Sequence, residues 1–435
     1  MTLTASQRRI ALHEFSRLRK RFAPLQNRAE RLLADANLAL PEMQHLARLA
    51  AEVESLCRLI AAELTRIDSE PLDVLPTQVL DELVERCEQV AMRLEHQQRL
   101  CTSTVECAAH LHAATVELIA GEAALPARLQ NVARRVLVSV ESAMPFAALF
   151  PEPELSLEPL IGSCCLVAVP RVYCRGILTA RLIAYTIADR PLWRDRAEEL
   201  IIAALLQDAG LLVLDTVHGV RSAPIHRGSD RMNVVTTNRL KRQRPGVYQQ
   251  HPSVSAGLAA GLREFSSSLP AMIANHHERL DGTGFPRGRH ARQLNETSRL
   301  LAVAVLFVEA WDLLSGQIAA DSFACRASNE AEHPGRSTGR CADDAHDTVL
   351  FAAARLVWDA ARRSEVDMRL ASWMLQRIDR RLPDCLNDAD HPANLLPAAL
   401  LKPGTPRLDG KHALAAPHFA SPVRRANTNS QWIHS

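Results

Sequence analysis

The stretch His276-His277-Glu278-Arg279-Leu280-Asp281-Gly282-Thr283-Gly284-Phe285-Pro286 decides how this chain is read. It packs two adjacent imidazoles, two carboxylates and a Gly-rich turn into eleven residues. Adjacent side chains cannot share one helix face. The histidine pair therefore fits a helix end that opens into a loop, where the two rings can reach different metal ions. Neutral imidazole suits divalent iron, manganese, nickel or zinc, and carboxylates suit the same ions.

Working outward, the chain of 435 residues has room for two or three domains. Its 47% apolar content supports sizeable cores, and its 4% aromatic content means that Leu, Ala, Val and Ile build them. A formal charge of +2 gives no broad basic field for DNA or a membrane surface. The Arg runs at 8–9, 17–21 and 239–244 read as solvated faces or loops. Ten cysteines are scattered without a CxxC pair, which argues against a zinc ribbon or a disulfide framework. The polar, basic start (Met1 to Arg21) is no secretory signal, and the longest apolar run, near Leu300 to Val308, is too short for a membrane span. The cytoplasm is the expected location.

The expected fold is all-α. Leu46, Leu49, Val53, Leu56, Ile60, Leu64 and Ile67 recur at steps of three and four, as do Leu80, Leu83, Cys87, Val90 and Leu94. Pro71 and Pro76 separate the two stripes, and Thr77 can cap the second helix. A helical bundle or hairpin over 1–140 follows, with a sensory or dimerising module as the sharper alternative. Pro145, Pro151, Pro153 and Pro159 suggest a linker over 141–162. Helical patterns return at 174–189, 195–209, 251–263, 269–277 and 296–315. A polar loop at 326–345 and an amphipathic stretch at 346–380 close the folded part (163–382). Residues 383–435 read as a disordered tail.

The eleven-residue stretch resembles the HHExxDGxGYP signature of the HD-GYP family, with Phe285 for the usual Tyr. That family is a branch of the HD-domain metal-dependent phosphohydrolases, and its typical activity is hydrolysis of cyclic di-GMP. The resemblance extends further, over 170–320. Gly288, Leu294 and Arg299-Leu300-Leu301-Ala302-Val303-Ala304 keep the spacing from the GYP turn to the RILAVAD helix. His251-Pro252 resembles the HP motif, and Ala203-Ala204-Leu205-Leu206-Gln207-Asp208-Ala209-Gly210-Leu211 resembles AALLHDIGK. The isolated His346-Asp347 pair lies outside this context and reads as coincidence.

By this resemblance, His251, His276 and His277 would hold metal, iron or manganese in kind, with Asp208 as a bridging, catalytic carboxylate. Asp281, Gly282, Gly284, Phe285 and Pro286 would form a loop near substrate or a protein partner. Gly282 and Gly284 are expected at positive φ. Four departures stand against full activity. The His of the HD pair is Gln207. The phosphate-holding Lys is Leu211. The Asp that ends RILAVAD is Val305. The first His ligand, due near Cys174 or Arg175, is missing, because no histidine occurs between His112 and His218. Phosphodiester hydrolysis at such a centre needs activated water and cations on the phosphoryl oxygens.

These losses bear on one chemical step. They point to a catalytically impaired regulator of cyclic di-GMP signalling that binds a nucleotide or a protein partner, with the N-terminal helices as a candidate dimer contact. The alternative is an active phosphodiesterase with a reduced or rearranged metal site. Rescue ligands would be Glu309, one helical turn beyond Val305, and His218 and His226. Their plainer readings are a solvated or paired Glu309 and surface loop histidines.

Overall fold

The computed structural model describes residues 5–39, 44–69, 77–121, 126–140, 146, 149–150, 171–217, 244–329 and 341–387. Over these the fold is all-α, as expected, and no strand occurs among them. Three long helices, α1 (Ala5–Ala39), α2 (Gln44–Ser69) and α3 (Thr77–Ile119), pack on one another and are followed by α4 (Pro126–Ser139). The stripes read from sequence face inward wherever their side chains are described, and those of Leu46 and Ile67 lie outside the description. Leu49, Val53, Leu56, Ile60 and Leu64 are buried on α2. On α3 the buried line is Leu80, Val84, Cys87, Ala91 and Leu94, while Leu83 and Val90 pack at its edge.

The second half starts with α5 (Arg171–Ile187), a 3-10 turn (Pro191–Arg196), α6 (Ala197–Leu206) and α7 (Gly210–Val217). Next come α8 (Pro245–Tyr248), α9 (His251–Ala260), α10 (Ser268–Ala274) and α11 (Glu296–Asn329). The last helices are α12 (Cys341–Arg362), α13 (Met368–Ile378) and α14 (Leu382–Asn387). α5 and α6 are buried nearly all round and form the centre of this half, as expected of helices surrounded by others. Among the described residues no helix is long and apolar enough to cross a membrane.

The two halves share one core. α3 and α4 pack against α5, and α4 against α6. Arg181 of α5 is buried and donates to Thr104 Oγ1 of α3 at 2.7 Å. Within the expected 141–162 linker, Phe146, Leu149 and Phe150 are buried. Phe146 and Phe150 sit against Phe307 and Trp311 of α11, with ring centroids 5.0–6.2 Å apart. Aromatic anchors thus tie this stretch into the core despite its prolines, and the rest of it lies outside the described residues.

Two further boundaries differ from the sequence reading. The expected loop at 326–345 is helical at both ends, in α11 to Asn329 and α12 from Cys341, with 330–340 outside the described residues. The expected tail is helical at its start, because Leu382, Pro383 and Leu386 are buried in α14. Residues 388–435, His218 and His226 lie outside the described residues.

Candidate metal centre

Four helix junctions deliver the site. α6 ends at Leu206, and Gln207 and Asp208 follow in the turn to α7. Gly210, which opens α7, lies against the first turn of α9. A Cβ there would sit 2.5 Å from the His251 carbonyl, and its N–H donates to Ser255 Oγ at 2.8 Å. This backbone contact sets Asp208 beside His251. α9 starts at His251 with Pro252 in its first turn, where a missing N–H costs nothing. α10 ends at Ala274, and His276 and His277 occupy the turn beyond it, as their adjacency requires.

The ligand atoms of Asp208, His251, His276 and His277 lie within 4.8 Å of one another, and all four residues are buried. His251 Nδ1 is 2.6 Å from the Tyr248 carbonyl, and His276 Nδ1 is 2.7 Å from the Ile273 carbonyl. A carbonyl only accepts, so each Nδ1 carries the proton and each neutral ring offers its Nε2 lone pair. Those two Nε2 atoms are 3.2 Å apart. Asp208 Oδ1 lies 3.1 Å from the first and 3.8 Å from the second. His277 Nε2 is buried without a hydrogen-bond partner.

Burial lowers the pKa of His251, and lowers that of His277 further with help from the neighbouring histidines. Burial alone would raise the Asp208 carboxyl, but the Arg175 guanidinium and the imidazoles of His251 and His276 together outweigh it and hold the group well below the usual carboxylate range. Lone pairs on nitrogen and a carboxylate oxygen thus converge in a dry space where protonating His251 and His277 is unfavourable. A divalent transition ion resolves that clash, and three imidazoles with one carboxylate are a donor set such ions take. The residues present fit one metal ion.

The opposite side of Asp208 is built differently. Arg175 of α5 is buried, with Nη2 3.4 Å from Asp208 Oδ2 and Nη1 3.8 Å from Glu309 Oε1. Burial works against its charge, yet Asp208, Asp312 and Glu309 outweigh it and raise the pKa above the usual arginine value. Glu309 Oε1 also lies 4.0 Å from His277 Nε2. The carboxylate proposed as a rescue ligand does reach the cluster's edge, where it is paired with Arg175. Gln207 is buried and donates to Thr179 Oγ1 at 3.4 Å, and its Oε1 has no partner. Val305 is buried in the core. Leu211 packs with Val172, Tyr248 and Phe285 in a small apolar cluster.

The loop after the histidines is held by Glu278. Its carboxylate is buried and accepts the backbone N–H groups of Arg287 and Arg289, each at 2.8 Å. Asp281 is exposed, lies outside the ligand group and accepts from the N–H and hydroxyl of Thr283, closing the turn. Gly282 has φ +81°, as expected. Gly284 does not have positive φ. It is required by close packing instead, since a Cβ would lie 2.3 Å from Arg279 N. The following peptide, Phe285–Pro286, is cis. Phe285 stacks on His277 with centroids 4.5 Å apart. Leu280 N–H donates to the Glu365 carbonyl at 2.8 Å, which fastens the loop to the α12–α13 turn.

Sequence reasoning left two residues without a role. Arg175 entered only as a place where a histidine is missing, and Glu278 only as one of two carboxylates. Arg175 carried a signal, because it is a charge inside the apolar helix VYCRGIL, and such a charge needs a buried carboxylate. Nothing in sequence separates Glu278 from Asp281, since only the loop's path decides which carboxylate turns inward.

The family model for the HD domain matches residues 231–322. The chain is 31% identical over 130 residues to the 3′3′-cGAMP-specific phosphodiesterase 3 of Vibrio cholerae, a stretch covering 30% of this chain and 23% of that protein. It is 32% identical over 62 residues to a cyclic di-GMP phosphodiesterase of Pseudomonas aeruginosa, over 14% of this chain and 15% of the relative. The matched region spans less than a quarter of the length of either curated relative. No solved structure matches the chain.

Proposed function

From the premise that this chain carries an HD-GYP-like domain of the HD superfamily, we propose that it is a cyclic-dinucleotide-binding regulator with a reduced, catalytically impaired metal centre. Asp208, His251, His276 and His277 would hold one divalent ion, iron or manganese in kind. An ion in such a centre supplies Lewis acidity at a phosphoryl oxygen and acidifies water.

The observation that carries the reading is the asymmetry around Asp208. The three imidazoles on one side keep their ligand geometry. On the other side the expected donors are replaced by Arg175, Gln207 and Val305, and the phosphate-holding Lys by Leu211. His251 and His276 are oriented by backbone carbonyls, and His277 is stacked under Phe285. The loop held by Glu278 presents the half-buried Phe285, packed on buried Leu211 and Tyr248, as an aromatic edge suited to a nucleobase. A cyclic dinucleotide offers both groups such a site can hold, a phosphodiester for the cation and a flat base for the aromatic edge.

The test is to purify the chain, load it with Mn²⁺ or Fe²⁺, and measure binding and hydrolysis of cyclic di-GMP and 3′3′-cGAMP. Metal-dependent binding without turnover supports the reading. Turnover that disappears in His276→Ala and His277→Ala would overturn it in favour of an active phosphodiesterase, an outcome for which the approach of Glu309 to His277 leaves room. Absence of both binding and turnover removes the nucleotide and leaves a protein partner as the ligand.

A further inference from the structure

Asp208 is engaged through both oxygens. Oδ1 faces the Nε2 atoms of His251 and His276, at 3.1 and 3.8 Å, and Oδ2 faces the Arg175 guanidinium at 3.4 Å. The same guanidinium reaches Glu309 Oε1 at 3.8 Å. A carboxylate used in this way bridges two cation positions, and one of them is filled by a side chain of the protein. We propose that Arg175 takes the place of a second metal ion, holding Asp208 Oδ2 and Glu309 and restricting the centre to one divalent ion on Asp208 Oδ1, His251, His276 and His277. This rests on reading the four-residue cluster as a metal centre.

The backbone is arranged to put the arginine there. Gly176, the next residue, lets α5 lie directly on α6, since a Cβ would come 2.9 Å from the Leu205 carbonyl and 3.2 Å from that of Ala204. That contact brings residue 175 level with the turn after α6, where Asp208 stands. The guanidinium cannot lose its proton at accessible pH, so this is a permanent cation. A dication placed between Asp208 Oδ2 and Glu309 would meet it at contact distance in a buried site, where repulsion is weakly screened. The neighbouring positions supply little to hold a second ion, because Val305 has no donor and Gln207 offers one neutral amide oxygen, a far poorer ligand than imidazole. A guanidinium neutralises carboxylates as a metal does, but it acidifies no water. Arg175 would therefore be a positioning residue that preserves the architecture of the centre and removes half of its chemistry.

The experiment counts ions rather than turnover. The full chain is stripped with chelator, equilibrated with Mn²⁺ and desalted. Manganese per chain is then measured by mass spectrometry, and the spin state by electron paramagnetic resonance. The wild type is expected to hold one Mn²⁺ with an uncoupled spectrum, Arg175→Lys also one, and Arg175→His two with an exchange-coupled spectrum. Two ions in the wild type, or one in Arg175→His, would overturn the proposal. No ion in the wild type but one or more in Arg175→His would end the native metal reading and keep the exclusion by Arg175. No ion in either would end both. Should Arg175→His fail to fold, a Mn²⁺-soaked wild-type crystal decides by anomalous scattering. A single peak among Asp208 Oδ1 and the three imidazoles supports the proposal, and a peak between Asp208 Oδ2 and Glu309 overturns it.

Discussion

On one side of Asp208, imidazoles from two helix junctions meet its Oδ1, each with its tautomer or ring plane fixed by a neighbour. On the other side, a guanidinium from the second turn of a buried helix meets its Oδ2 and the Glu309 carboxylate, and the positions where further donors were expected are amide or hydrocarbon. The first side is a set of lone pairs that needs a cation brought from outside. The second is a set of carboxylates whose cation is supplied by the chain itself. On the proposed reading, a metal centre loses an ion without its carboxylates becoming orphans, because a fixed charge takes over the neutralisation. Buried carboxylates are costly without a partner, so such a loss requires a substitution of matching charge.

The largest expected effect breaks the second side. Arg175→Met leaves Asp208 and Glu309 without their cation in a site where Arg175 and Asp208 are at most one-tenth exposed. In metal-free protein this should cost about 3–5 kcal/mol of unfolding free energy, the usual penalty for removing one partner of a buried pair. Urea denaturation in chelator measures it. Adding Mn²⁺ should restore part of the loss by mass action, more in the variant than in the wild type. A variant as stable as the wild type in chelator would mean that the ion pair carries no weight.

The first side breaks differently. His276→Ala removes a donor whose lone pair faces Asp208 and His251, so Mn²⁺ affinity should fall by more than the roughly 100-fold that outer-shell changes cost. Gln207→Ala, on the opposite side, should change it by less than about threefold, or 0.6 kcal/mol. Calorimetric titration of the two variants sharpens the contrast, and equal losses would erase it. A smaller effect is expected in the loop that carries Phe285. Gly284→Ala drives a methyl into the backbone of residues 277–279 and should cost about 1–3 kcal/mol by thermal or urea unfolding, as overpacking does. Gly257→Ala, on α9 where a methyl meets open space, is the matched control and should be neutral or slightly stabilising.

Much of this was legible in the chain before any coordinates. Adjacent His276 and His277 demanded a helix end, His251-Pro252 marked a helix start, and the stripes on α2 and α3 named their buried faces, because each depends on local backbone rules. The gaps in the donor set at Gln207, Leu211 and Val305 were equally plain, since they are absences of a functional group. What occupies the gaps was not legible. Arg175 meets Asp208 through the packing of α5 on α6, and that register is set by tertiary contacts at Gly176 rather than by any local pattern. Gly284 shows the same limit on a smaller scale. Its sequence context suggested a positive φ, and only the path of the loop over Arg279 reveals that the constraint is steric. The helix at Leu382–Asn387 escaped a reading based on composition because six residues carry too little periodicity to count.

The last predicted effect separates the two sides by pH. On the imidazole side, burial depresses the folded-state pKa of His251 and His277 below the unfolded value of about 6.5. Below that value the unfolded chain binds protons that the native chain refuses, so stability rises with pH there. The contribution is complete above about pH 6.5 and is lost progressively as pH falls toward the folded-state values. On the other side, Asp208 is also depressed, but its unfolded reference is near 3.9, so its contribution is intact down to that pH and lost only below it. Metal-free protein should therefore lose stability between about pH 6.5 and 5 through the histidines alone, by up to about 1.4 kcal/mol per pH unit for each ring. His277→Gln should remove about one ring's share of that slope. A slope between pH 6.5 and 5 that His277→Gln does not alter would mean that His277 takes up its proton as readily in the folded chain as in the unfolded one, and the imidazole side would then need no cation from outside.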